Sequence, residues 1–148
     1  MKKRTRSREL ALQFLYQLDL LGTGDLDGLT DFLREEAGDA ETARYARTLV
    51  EGTYDAAPEL DEEIQSVAQN WQIERMAVID RNVLRMAAFE LIHMDEIPPK
   101  VAINEGIELG KRFSTQNSGA FINGILDQLF AKLKESGEIK KVGRGLIE

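Results

Sequence analysis

Helical periodicity runs through almost the whole sequence of 148 residues. Apolar residues recur at spacings of three and four, the pattern of an amphipathic helix, and no segment alternates apolar and polar residues between hairpin turns. In the first long segment, for example, Leu10, Phe14 and Leu18 form one apolar row. The pattern therefore predicts an all-α fold of about seven helices.

Glycine and proline residues mark the ends of these predicted helices. The first predicted helix covers 7–21, and a short second helix, capped by Thr30 or Asp27, ends before Gly38. Four further helices are predicted for 41–57, 59–71, 74–94 and 99–113, and the last helix begins at 117 or 118. A chain of this length favours one domain, or two small helical halves that share a core. We predict a single domain over 1–148, with a basic arm at 1–8 and a tail at 137–148 that is expected to be flexible.

Several classes of protein are disfavoured by what the sequence lacks. There is no cysteine, which removes disulfides and thiolate chemistry and suits a reducing cytoplasm. No run of about 18 apolar residues is present, and the basic start leads into a helix pattern rather than a signal sequence. We therefore expect a cytoplasmic protein without a membrane span.

Catalysis is also disfavoured. His93 is the only histidine, and it has no partner set for a nucleophile, a base and an orienting group. The glycines of the Gly106–Gly110 segment lie within a helix pattern, so they indicate close helix packing rather than a phosphate loop. We expect no enzyme activity, no catalytic residue, no metal and no cofactor.

The strongest functional signal is the arm at 1–8. Five of its eight residues are cationic, although the whole chain carries a formal net charge of −7. A basic block in an acidic protein is typical of a segment that meets a polyanion, and each cation can displace a counterion from a phosphate. The alternative is a tail that only improves solubility.

Two aromatic residues lie off the apolar stripes of their helices. Tyr16 lies opposite the core face of the first helix, and Phe121 lies in the first turn of the last helix, where backbone N–H groups are free. Such residues suit an unpaired base that stacks while its phosphate is held. Each could equally pack against a neighbouring helix.

Polar residues on two other predicted helices are also considered as contacts for RNA or protein. Lys100, Asn104 and Lys111 share one side of the sixth predicted helix, where a solvated edge is favoured over a phosphate track. Arg81 and Arg85 are spaced four apart, and we expect them to make contacts within the protein or with a partner.

Four blocks of the chain together resemble the NusB family of transcription antitermination factors. They are 8–16 (RELALQFLY), 79–91 (IDRNVLRMAAFEL), 99–109 (PKVAINEGIEL) followed by Phe113, and 118–127 (SGAFINGILD). The resemblance implies an all-α fold of two small packed helical bundles. It also implies a protein that is not an enzyme and that binds the boxA element of ribosomal RNA transcripts together with NusE, a ribosomal protein. The complex helps RNA polymerase to resist termination.

The resemblance also implies site residues. The RNA-binding candidates from the arm, the off-stripe aromatics and the family motifs are Lys3, Arg4, Arg6, Arg8, Tyr16, Lys100, Asn117, Ser118 and Phe121. Asp80 is a candidate contact to a basic protein partner, and the NusE surface is expected on the C-terminal helices. Family members occur as monomers or homodimers, and both stay open.

Two other functions remain as alternatives. Ribosomal RNA methyltransferases carry a similar N-terminal helical module, and a module that binds only proteins would need no RNA site. The chain departs from the family at Gly106 and Gly110, where alanine is common, and at Phe89, where tyrosine is common.

Overall fold

A computed structural model describes residues 2–22 and 24–139, and every regular element in these ranges is helical. The elements are α1 (Lys3–Leu21), α2 (Leu29–Glu36), α3 (Ala40–Asp55), α4 (Ala57–Val67), a short 3₁₀ helix (Ile73–Arg75), α5 (Val78–His93), α6 (Pro99–Phe113) and α7 (Ser118–Ser136). The all-α prediction is confirmed, and the seven α-helices of the described ranges match the predicted number.

Several helix ends follow from local chemistry. Gly22 ends α1 in the left-handed conformation (φ 70°), and its N–H bonds the carbonyl groups of Leu18 and Asp19. The Asp39 side chain accepts a 2.8 Å hydrogen bond from the Thr42 N–H at the start of α3. Pro99 is the first residue of α6, as predicted.

Four predicted boundaries are wrong. The helix predicted for 59–71 ends at Val67. α1 begins at Lys3, so most of the basic arm is helical and not a separate segment before the helix. α2 follows Gly28 and has no side-chain cap, neither from Thr30 nor from Asp27. The helix predicted for 74–94 is divided, because Met76 and Ala77 are extended between the 3₁₀ helix and α5.

The helices form two groups that meet at α5. α1 packs most extensively on α3, and α2 covers both of them; α6 packs on α7 and on α5. α5 also contacts α1, α3 and α4, so the buried apolar residues of both groups form one connected core. This arrangement places the second half of α1, the end of α6 and the start of α7 beside the first turns of α5.

Glycines allow α6 to approach its neighbours closely. A Cβ atom on Gly110 would lie 2.3 Å from Cδ1 of Ile122, and one on Gly106 would lie 3.3 Å from Cδ1 of Leu126. Both contacts are with α7, which confirms that these glycines serve close helix packing.

The chain just after α7 contacts the last turn of that helix. Gly137 terminates the helix, the N–H of Glu138 bonds the Leu133 carbonyl, and the Ile139 side chain is buried. Of the tail predicted to be flexible, 137–139 therefore lie against the end of α7 and 140–148 lie outside the described residues, so its flexibility stays a prediction.

None of the helices within the described ranges combines the length and the apolar character that a bilayer crossing requires.

Candidate nucleic-acid interface

The first turn of α1 carries two exposed cationic residues whose side chains contact α3. The Lys3 ammonium lies 3.2 Å from a carboxylate oxygen of Glu41, whose hydrogen bond raises the pKa of Lys3, and 3.8 Å from Asp39. The Arg4 guanidinium lies over the Tyr45 ring, 3.9 Å from its centroid. Both side chains remain at the surface, where a polyanion can reach them.

Arg8 lies inside the protein. Only 3% of it is exposed, and its guanidinium makes hydrogen bonds of 3.0 and 3.2 Å to Glu90 and a further contact of 3.1 Å to Glu105. The Tyr45 hydroxyl also donates to Glu90. Arg8 is therefore buried, unlike Lys3 and Arg4, and its assignment to RNA binding stays a prediction. Its place on α1 faces α5, where a buried carboxylate requires a cation.

Arg6 and Tyr16 lie on another side of α1 and line a cleft of about 250 Å³. Glu9 is buried at its edge and pairs with Arg6 (3.2 Å) and with Arg112 of α6. The cleft residues are Arg6, Glu9, Leu12, Gln13, Tyr16, Ile79 and Phe113. We call this the Tyr16 cleft.

A second cleft, of about 230 Å³, opens at the start of α7. Phe121 meets Trp71 there in a nearly perpendicular arrangement, with ring centroids 5.5 Å apart. Asn117 lines the same cleft and is exposed. We call this the Phe121 cleft. Ile79 lines the first cleft and Asp80 the second, so the two lie side by side across the first turn of α5.

Trp71 was missed by the sequence reasoning. It follows α4 and is 56% exposed, although tryptophan is usually well covered. The signal was present in the sequence, because the only tryptophan of the chain follows the polar residues Gln69 and Asn70.

Asp80 and Ser118 support the Phe121 cleft from within. Asp80 is only 8% exposed and accepts a 3.1 Å hydrogen bond from the Ser118 hydroxyl, which is itself buried. The Ser118 Oγ atom also accepts a 3.2 Å hydrogen bond from the Thr115 N–H. One oxygen of the Asp80 carboxylate thus fixes the start of α7, and its contact with a protein partner stays a prediction.

Lys100 is exposed on the first turn of α6, and Asn104 is exposed one turn later. The next residue, Glu105, accepts a 2.8 Å hydrogen bond from Thr5, so this part of α6 lies beside the start of α1. Lys111, by contrast, lies 3.3 Å from Glu108 of its own helix. Lys100 and the exposed cations of α1 are thus on neighbouring helix ends.

Arg81 and Arg85 make contacts within the protein, which is one of the two expected outcomes. Arg81 holds both oxygens of Asp19 at 2.7 and 2.8 Å, and Arg85 bridges Asp19 and Asp61. The hydrogen bond from Arg81 lowers the pKa of Asp19 to about 2. These arginines connect α1, α4 and α5.

No metal-binding group of three or more His, Asp or Glu side chains occurs in the part of the chain that the structure describes. His93 is exposed, and its Nε2 atom lies 2.8 Å from Glu59. The two clefts are lined by aromatic rings, with Arg6 at the first and Arg75 at the second, and further exposed cations lie at the starts of α1 and α6.

The sequence matches a known family over most of its length. The model of the NusB family matches residues 5–131. The chain is 47% identical to the transcription antitermination protein NusB of Anaeromyxobacter dehalogenans over 132 residues, which are 88% of this chain and 92% of that protein. It is 43% identical to the NusB of Desulfosudis oleivorans over 136 residues, 90% of this chain and 88% of that protein.

Solved structures show the same fold. A structure of T. maritima NusB superposes with a TM-score of 0.79 at 35% identity, covering 94% of this chain and 99% of that one. A structure of the antitermination factors NusB and NusE in complex with double-stranded RNA gives a TM-score of 0.79 at 26% identity, covering 89% and 98%. Family model, relatives and fold agree over nearly the whole length, and the chain belongs to the NusB family.

Proposed function

We propose that this protein is a non-catalytic RNA-binding adaptor in transcription antitermination, which binds boxA RNA of ribosomal RNA transcripts together with NusE. The observation that carries the proposal is the pair of aromatic clefts at Tyr16 and Phe121, with the guanidinium group of Arg6 lining the first and that of Arg75 lining the second. The relatives called transcription antitermination proteins, and the solved complex of NusB and NusE with RNA, support it.

The cations would hold the RNA backbone. Lys3, Arg4, Arg6 and Lys100 are at least partly exposed and can meet phosphates, which gives affinity that falls as salt rises. Because phosphate contacts carry no sequence information, they position the RNA rather than select it.

The aromatic residues would hold unpaired bases. Tyr16 and Phe121 are partly exposed at the two clefts, and Asn117 offers an amide beside Phe121. Stacking of a base on an aromatic ring contributes about 1–3 kcal/mol. Arg8 and Ser118 would act indirectly in this proposal, because both are buried and keep α1 and α7 in position.

A groove next to the Phe121 cleft is the surface that we propose for NusE. It has a volume of about 670 Å³, lies between the end of α4 and α7, and shares Trp71 and Phe121 with the cleft. A partner in this groove would lie beside RNA bound at Phe121, which would explain joint binding. The complex would then act with RNA polymerase.

The test is a gel shift with boxA RNA and a scrambled RNA, with and without NusE, over a series of salt concentrations. We expect preference for boxA, tighter binding with NusE, and steep weakening with salt. Equal binding of boxA and scrambled RNA in the presence of NusE would refute the proposal.

The groove has its own test. Ala131→Arg places a large side chain in the groove from an exposed position of α7, and should weaken NusE binding in calorimetry. Thr48→Arg, at an exposed position of α3, is the matched control and should leave NusE binding unchanged. Equal NusE affinities for the two variants would argue against this docking surface.

A further inference from the structure

The Tyr16 cleft contains residues that the family resemblance did not assign to RNA binding. Phe113 is the last residue of α6, and 42% of it is exposed although it is a large apolar residue. It lines the cleft with Tyr16, while Leu12 and Ile79 provide further apolar surface. An exposed aromatic beside another aromatic in a concave site is typical of ligand binding.

The rim of this cleft is positively charged. The buried carboxylate of Glu9 is shared between two guanidinium groups, since Oε1 contacts Nη1 of Arg6 (3.2 Å) and Oε2 contacts Nη1 of Arg112. Two cations and one anion leave an excess positive charge. Each guanidinium carries five N–H donors, so the contact with Glu9 leaves others for an anion.

Glu9 also fixes where these arginines lie. Arg6 belongs to α1 and Arg112 to α6, and the common carboxylate holds both side chains at one edge of the cleft. The Arg112 guanidinium also lies 5.8 Å from the centroid of the Phe113 ring. The two cations are therefore held beside the aromatic ring before any ligand arrives.

The cleft suits a small, flat ligand that has negative charge beside it. Its volume of about 250 Å³ is below the ~300–1,000 Å³ of typical small-molecule pockets. Its surface is apolar and aromatic, with the Gln13 amide as a polar group at an exposed position. A single base flanked by two phosphates has this combination of a flat ring and nearby negative charge.

We propose that the Tyr16 cleft binds one unpaired base of the RNA against Tyr16 and Phe113, with Arg6 and Arg112 on the phosphates beside it. Glu9 is a positioning residue, which holds the two arginines in place. This inference rests on the proposed RNA-binding function and adds Phe113, Arg112 and Glu9 to the site.

The first test compares Phe113 variants in complexes of the full chain with NusE and boxA RNA. Phe113→Leu keeps an apolar side chain but removes the aromatic ring, and should weaken boxA binding about tenfold, as expected for the loss of one stacked base. Phe113→Trp should retain the affinity. Leu21→Ala, at an exposed apolar position at the end of α1, is the control and should have no effect.

Photo-crosslinking gives a second measurement on the unaltered protein. BoxA RNA carrying 4-thiouridine at one position at a time should crosslink to Tyr16 or Phe113 from one position only. If wild-type protein prefers boxA but Phe113→Leu binds normally and no crosslink reaches the cleft, this inference is overturned and the proposed function stands. If wild type shows no preference for boxA, both fail.

A Glu9 variant tests whether this residue positions the arginines or acts only through its charge, because the two roles predict opposite changes in RNA affinity. Glu9→Gln removes a negative charge, so charge alone would strengthen RNA binding. If Glu9 positions the arginines, boxA binding should weaken severalfold while binding of scrambled RNA does not. Tighter boxA binding by Glu9→Gln would overturn the positioning role, and thermal melting of the variant verifies that it is folded.

Discussion

Arg8 illustrates how one residue type can have different roles within a few positions. Lys3, Arg4 and Arg8 belong to the same basic block, but the first two are exposed and the third is buried against Glu90. The sequence showed that cations are concentrated here. It did not show that one of them faces α5, because this depends on which helix packs on that side of α1.

The buried pair makes Arg8 a residue for stability. Arg8→Ala would leave Glu90 in the core without its cation, and removing one partner of a buried ion pair costs about 3–5 kcal/mol. Urea denaturation should show this loss in the free energy of unfolding. The control is Lys2→Ala at an exposed position, which should change stability by less than about 0.5 kcal/mol.

Asp19 should make stability depend on pH. Its folded pKa is about 2, below the value of about 3.9 for an unfolded aspartate, so the unfolded state binds protons more readily. The stabilisation by Asp19 is therefore complete above about pH 5 and is lost as pH falls toward 2. Asp19→Asn should be less stable than wild type at pH 7, and the two melting temperatures should converge in acid. A constant difference across this range would contradict the assignment.

At the scale of elements, the helices themselves were predictable and their ends were less so. Apolar periodicity located every α-helix, since burial of one face is what stabilises a helix in a protein. The division between the 3₁₀ helix and α5 was not visible, because Met76 and Ala77 are compatible with a helix and are extended only in the folded chain. That break lies between Trp71 and Asp80, at the edge of the Phe121 cleft.

Helix contacts through glycine give a prediction at this scale. Gly110→Ala places a methyl group 2.3 Å from Cδ1 of Ile122, a fully buried residue, so the Ile122 side chain or one of the two helices has to shift. We expect a net loss of about 1–2 kcal/mol, since overpacking outweighs the better helix propensity of alanine. Gly124→Ala in α7 is the matched control. No atom lies within 4 Å of its Cβ, so this change should stabilise the protein by about 0.5–1 kcal/mol. Thermal denaturation should therefore show a lower melting temperature for Gly110→Ala and a higher one for Gly124→Ala.

For the whole molecule, the candidate interface is a product of how the two helix groups meet. Glu9 pairs with Arg112, and Tyr16 shares its cleft with Ile79 and Phe113, so residues far apart in sequence form one site. The sequence could nominate Tyr16 and Phe121 from helix phase alone. It could not show that their clefts lie next to each other, or that Arg112 and Trp71 lie beside them. These positions depend on how the helices pack around the start of α5.

Salt dependence should separate the two kinds of contact across this surface. If Lys100 binds one phosphate, Lys100→Ala should reduce the slope of log affinity against log salt by about 0.7, the value for single-stranded nucleic acid. Phe121→Ala should lower the affinity and leave the slope unchanged, because stacking releases no counterion.

A filter-binding titration measures both quantities, and Arg34→Ala on α2 is the control for a general change in charge. If Phe121→Ala changes the slope, or Lys100→Ala does not, the division of roles is wrong.

By itself, the sequence determined an all-helical chain with a basic beginning, aromatic residues off the core stripes and the motifs of the NusB family. These properties are local, since they follow from the spacing and chemistry of neighbouring residues. Only the tertiary structure decided which basic residues stay at the surface, that Asp80 and Ser118 are internal supports, and that the aromatics belong to adjoining clefts. The physical reason is burial: whether a charge is paired inside or left for a ligand depends on the helix that packs against it.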